Sequence, residues 1–190
     1  MKLTLPTMLT LGRLVLLPVL VGLVYAPFDW SRPAAALVFA LGGITDWLDG
    51  YLARRLNQHS SFGAFLDPVA DKIMVAVVLV MLVQANPHAW MTLPAMVIIG
   101  REIVISALRE WMAEIGQRAR VAVSVLGKFK TTAQIAALLL MLYHDPIGRF
   151  PTFAVGVGLL YAAALLTLYS MIEYLRAGWS AAASVPEQTP

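Results

Sequence analysis

The stretch "TDWLDGYLARR" (residues 45–55) places Asp46 and Asp49 where an apolar helix should be finishing, and closes on Arg54 and Arg55. The run before it, "PAAALVFALGGI" (33–44), carries no charge at all. Residues 33–53 are long enough to cross a bilayer, for which about 20 mainly apolar residues suffice. The stretch therefore reads as the polar end of a membrane helix, and two carboxylates there need a physical reason.

The rest of the chain has the same character. Of its 190 residues, 59% are hydrophobic and 13% charged, against about 45–50% and about a quarter in soluble domains. Six segments qualify as spans: 14–28, 33–53, 62–85, 89–112, 121–143 and 152–175. The fold class predicted is all-α: a polytopic membrane protein of six transmembrane helices. "MKLTLPTMLTLGR" precedes them as a short interfacial helix. Pro6, Arg13 and Pro18 interrupt the first apolar stretch, which favours a retained helix over a cleaved signal peptide. One domain is expected over residues 1–176, followed by a disordered tail at 177–190. With no cysteine, disulfides, zinc-thiolate sites and thiol catalysis are excluded. The net charge of +3 does not point to nucleic acid. Its distribution is more informative, because loops 29–32, 86–88 and 144–151 hold only Arg32 and Arg149 of the 14 basic residues. The positive-inside rule then puts both termini and the alternate loops in the cytoplasm.

Of 11 acidic residues, four lie between positions 46 and 71, on the cytoplasmic ends of the second and third spans. At about 100° per residue, Asp46, Asp49, Gly50, Ala53 and Arg54 share one arc, with Trp47, Leu48, Tyr51 and Leu52 on the other side. After the break "NQHSS" (57–61), Gly63, Asp67 and Asp71 recur every four residues. Two antiparallel helices would turn four carboxylates toward one cleft. Such a cluster needs protonation, arginine partners or metal. An all-oxygen set without cysteine favours Mg²⁺ or Mn²⁺. Two such ions would balance the carboxylates and accept a diphosphate, as in two-metal phosphoryl transfer. Gly50 and Gly63 would let a nucleotide approach the helix backbone.

"DWLDGYLARRLNQHSSFGAFLDPVAD" (46–71) resembles the signature of the CDP-alcohol phosphotransferases: Asp-x2-Asp-Gly-x2-Ala-Arg, eight residues, Gly-x3-Asp-x3-Asp. Every fixed position is present. The resemblance implies that Asp46, Asp49, Asp67 and Asp71 hold a two-metal centre. It further implies that Asp71 is the base activating the acceptor hydroxyl, and that Gly50, Ala53, Arg54 and Gly63 line the cytidine nucleotide site.

The acceptor is read from other residues. "GREIVISALREWMAE" (100–114) puts Arg101 roughly 16 Å into the fourth span, a depth at which charge is usually functional or paired. Arg109 lies on the same face, and "GKFKTTAQ" (127–134) adds Lys128 and Lys130. These cations suit an acceptor that carries a phosphate. Pairing of Arg101 with Glu102, and lysines snorkelling to headgroups, are the structural alternatives. His59, His88 and His144 lie in loops and receive no role.

With "LPTMLTLGR" (5–13) included, the chain is most similar to bacterial members of the family that use CDP-diacylglycerol as donor and sn-glycerol 3-phosphate as acceptor. The resemblance implies CMP as leaving group, a multi-pass protein of the bacterial inner membrane, a cytoplasmic active site and a homodimer. Pro6-Thr7 stands where many members have Pro-Asn, while Thr10 and Arg13 remain in place without an assigned role. The alternatives are inositol phosphate or phosphatidylglycerol as acceptor, a membrane prenyltransferase, or an ion-coupled transporter.

Overall fold

The structure is a computed structural model that describes residues 4–56, 60–115 and 125–182. It consists of six helices: α1 (Leu5–Tyr25), α2 (Ser31–Leu56), α3 (Ser61–Ala85), α4 (Ala89–Glu114), α5 (Val125–Tyr143) and α6 (Thr152–Ala182). Three are long and apolar enough to cross a membrane, over Thr7–Tyr25, Ala89–Glu114 and Thr152–Arg176, and Phe129–Tyr143 forms a shorter apolar helix.

The expected interfacial helix before the first span is absent as a separate element. Leu5–Tyr25 is one continuous helix, with Pro6 in its first turn, where a missing N–H costs nothing. Arg13 does not break it, because its side chain is buried among carboxylates and never meets lipid. At the other end, α6 continues through Ala182, past the boundary expected at residue 176.

α1 packs against α2 and α3, while α5 packs against α6 and α2, and α4 against α6 and α3. Leu20, Phe39, Val78, Leu79, Met91, Ile98, Leu138, Met141 and Leu160 form a continuous apolar core. Close crossings are made where a side chain is missing. A Cβ on Gly156 would stand 2.7 Å from Met141 Cγ and 3.0 Å from the Ala137 carbonyl, so α6 lies directly on α5. Outward positions such as Val15, Leu37, Ile44, Val80, Met96 and Leu165 are exposed and apolar, as a lipid-facing surface requires.

Helix direction gathers the polar residues at one end. α1, α3 and α5 begin there, and α2, α4 and α6 end there. The aspartates of α2 and α3, Arg101 and Arg109 of α4, and Lys130 of α5 therefore occupy the same end of the bundle. Ser60 starts α3 by accepting a hydrogen bond from the Gly63 N–H at 2.9 Å. It thereby fixes where the helix bearing Asp67 and Asp71 begins.

Candidate active site

Asp46 and Asp49 lie on one face of α2, and Asp67 and Asp71 on one face of α3, but what joins them comes from α1. Arg13 Nη1 donates to Asp46 at 2.9 Å and also to Asp71, while Nη2 donates to Asp49 at 2.5 Å. Thr10, one turn earlier, donates to Asp67 at 2.5 Å and approaches Asp49 at 3.4 Å. One guanidinium and one hydroxyl thus span all four carboxylates.

The four are not equivalent. Asp49 is 4% exposed and Arg13 1%, whereas Asp46 and Asp71 are 43% and 46% exposed. Asp46 and Asp71 face a cavity of about 120 Å³ whose walls include Gly42, Gly43, Thr131 and Gln134. Asp49 forms the inner side of the cluster and Asp46 with Asp71 its open side. Among the described residues no three acidic or histidine side chains stand together at metal-ligating spacing; the Arg13 guanidinium lies between them. The donor set nonetheless fits hard cations. It is entirely oxygen, and four carboxylates meet a single guanidinium among the described residues.

The two glycines differ. Nothing stands within 4 Å of a Cβ placed on Gly50, so the α2 backbone is open there. On Gly63 the same atom would lie 2.9 Å from both the Ser60 and Thr7 hydroxyls. Thr7 also bonds Ser60 at 3.0 Å and Thr4 at 2.9 Å. In this structure Gly63 is the point where α1 crosses α3, with Thr7 as the bridging side chain. The side chains of Ala53 and Arg54 lie outside the described residues, as does that of Lys128.

A second polar cluster joins α4, α5 and α6. Arg101, buried, donates to Glu102 at 2.6 Å, and Lys130, also buried, stands 3.8 Å from the same carboxylate oxygen. Arg101 Nη2 reaches Ser170 Oγ at 3.5 Å, and its Nε is buried with no hydrogen-bond partner among the described residues. Arg101 and Arg109 lie over the ring of Tyr174, at 5.9 and 5.6 Å from its centroid. Three of the four expected acceptor cations are therefore brought together. The pairing of Arg101 with Glu102, raised above as an alternative, is also present, and Glu102 joins Arg101 to Lys130 instead of isolating it.

The carboxylate cluster of α2 and α3 and the cation cluster of α4, α5 and α6 lie at the same end of the bundle. The family model for CDP-alcohol phosphatidyltransferases matches residues 3–169. The chain belongs to the CDP-alcohol phosphatidyltransferase family. Curated relatives of this family member include the CDP-diacylglycerol–glycerol-3-phosphate 3-phosphatidyltransferases of Salmonella choleraesuis (strain SC-B67), Shigella flexneri serotype 5b (strain 8401) and Escherichia coli (strain K12). Each is 52% identical over 177 residues, covering 93% of this chain and 96% of the relative. Membership sets aside the prenyltransferase and transporter readings.

In this family member, sequence reasoning left Thr7, Thr10 and Arg13 without roles and did not single out Ser170 or Tyr174. Arg13 had a legible signal, a charge one turn after Thr10 inside the first apolar helix. Tyr174 had none, since aromatics near span ends ordinarily anchor a helix at the interface.

Proposed function

We propose that this chain transfers a phosphatidyl group from CDP-diacylglycerol to sn-glycerol 3-phosphate, forming phosphatidylglycerophosphate and CMP. The observation that carries the reading is 52% identity across 93% of the chain to enzymes named for this reaction. The clustering of four carboxylates at one end of the bundle supports the same reading.

The acyl chains of the donor remain in lipid, and its cytidine nucleotide lies along the open α2 backbone at Gly50, with Ala53, Arg54 and Gly63 in the same region. Asp46, Asp49, Asp67 and Asp71 would hold two divalent cations, Mg²⁺ or Mn²⁺. Such ions neutralise the diphosphate and the charge that develops on departing CMP. Arg13 and Thr10 keep the carboxylates facing one another. Arg101, Arg109 and Lys130, with Lys128, bind the acceptor phosphate and leave its C1 hydroxyl toward the cavity at Asp71. Asp71 takes the proton of that hydroxyl as its oxygen attacks the phosphorus bearing diacylglycerol. The new P–O bond forms, the bond to the bridging oxygen of CMP breaks, and CMP leaves. Holding the two reactants in line supplies much of the acceleration, because phosphoryl transfer asks little covalent chemistry of the protein.

The same reading takes all six helices across a bacterial cytoplasmic membrane, as one domain over 1–176. The basic loops and both termini lie on the cytoplasmic side. The resemblance to the family adds a homodimer.

Purified protein given CDP-diacylglycerol, Mg²⁺ and radiolabelled glycerol 3-phosphate should move label into a lipid-extractable product, one mole per mole of CMP. Release of CMP with no label in lipid would refute the transfer.

A further inference from the structure

Residues 170, 174 and 178 of α6 are each four apart, so they form one stripe along a single helix face. All three meet α4. Ser170 Oγ lies 3.5 Å from Arg101 Nη2, and the Tyr174 ring lies against both Arg101 and Arg109. At Gly178 an added Cβ would come within 2.9 Å of Leu108 Cδ1, so the two helices are in close contact there. Tyr174 stands between two points at which α6 is pinned to α4.

Arg101 and Arg109 are eight residues apart, about 12 Å along the helix axis. Left alone, two guanidiniums repel, and Arg109 is exposed and has long-chain freedom. The face of an aromatic ring attracts a guanidinium and has no charge of its own. Sharing one ring draws both cations toward a common point and adds no further negative charge to the Glu102 carboxylate that already pairs with Arg101.

From this geometry we infer that Tyr174 is a positioning residue for the acceptor: its ring presents Arg101 and Arg109 together to the phosphate of glycerol 3-phosphate. The inference rests on the reading of Arg101 and Arg109 as acceptor-binding residues. Tyr174 touches neither the donor nor the reacting atoms. Its loss weakens acceptor binding and leaves the chemical step alone.

The test is steady-state kinetics of the purified full-length protein with CDP-diacylglycerol and Mg²⁺. Glycerol 3-phosphate is varied for the parent, Y174F, Y174L and R109A. Y174L should raise KM for glycerol 3-phosphate on the order of tenfold, with kcat within about threefold and KM for CDP-diacylglycerol unchanged. Y174F should restore the parent KM. An unchanged KM in Y174L, or a Y174F as impaired as Y174L, overturns the inference. If Y174L does not remain monodisperse in detergent, Y174M carries the same comparison with Y174F. R109A separates the two levels. Should R109A leave KM for glycerol 3-phosphate unmoved, the acceptor-site reading itself fails. If R109A raises it and Y174L does not, only the role of Tyr174 fails.

Discussion

Arg13 of α1 and Asp49 of α2 face each other at 2.5 Å with 1% and 4% of their side chains exposed, and the same guanidinium reaches Asp46 and Asp71. Two helices bearing like charges would separate at this end of the bundle. Arg13 supplies the cation that lets them close.

Replacing Arg13 should therefore cost stability first. Removing one partner of a buried ion pair typically costs about 3–5 kcal/mol, because the other charge is left uncompensated. R13A should melt well below the parent in detergent, with R13K between them. Added Mn²⁺ should raise the melting temperature of R13A more than that of the parent, since a cation then replaces the missing charge. Equal melting temperatures for parent and R13A would show that the carboxylates need no internal counter-ion.

Asp71 is half exposed and borders the cavity between α2, α3 and α5. As the general base it should be worth at least about a hundredfold in rate. D71N should lose CMP release by that factor or more, with elution and melting behaviour close to those of the parent. A folded D71N with near-normal turnover would remove the base assignment.

The proposed metal requirement has a direct check. EDTA should abolish turnover, and Mg²⁺ or Mn²⁺ should restore it. D46N, on the exposed side of the cluster, should need a higher metal concentration for half-maximal rate. Full activity in EDTA would mean that Arg13 alone suffices as the cation.

The two glycines make opposite predictions. G63A puts a methyl 2.9 Å from the Thr7 and Ser60 hydroxyls. It should destabilise the protein by about 1–3 kcal/mol, the usual cost of overpacking. G50A meets nothing within 4 Å, so it should fold normally and raise KM for CDP-diacylglycerol. A thermal shift in G50A equal to that in G63A would show that Gly50 also serves helix packing.

These contrasts follow what local spacing can and cannot encode. Asp46 with Asp49, and Asp67 with Asp71, could be placed on helix faces from the chain alone, because helix periodicity is a local property. The all-helical class was legible for the same reason. The meeting of Arg13 with Asp46, Asp49 and Asp71 depends on how α1 crosses α2 and α3, and no local pattern contains that. Gly63 shows a related limit. A missing side chain suits a ligand or a neighbouring helix equally, and only packing reveals that Thr7 fills the space. The segment up to Arg13 reads as a separate interfacial piece because it is short and mixed in polarity, whereas the carboxylates that accept Arg13 lie outside any local sequence window.

The central claim is that these carboxylates and cations serve transfer to a phosphorylated glycerol. It is tested most directly by an acceptor panel with purified protein, CDP-diacylglycerol and Mg²⁺, comparing kcat/KM for glycerol 3-phosphate, inositol phosphate, phosphatidylglycerol and serine. Glycerol 3-phosphate should exceed serine by at least about a hundredfold, as expected of a site built around a polar group that serine leaves unmatched, and should also exceed inositol phosphate and phosphatidylglycerol. A kcat/KM for inositol phosphate or serine equal to that for glycerol 3-phosphate would contradict it.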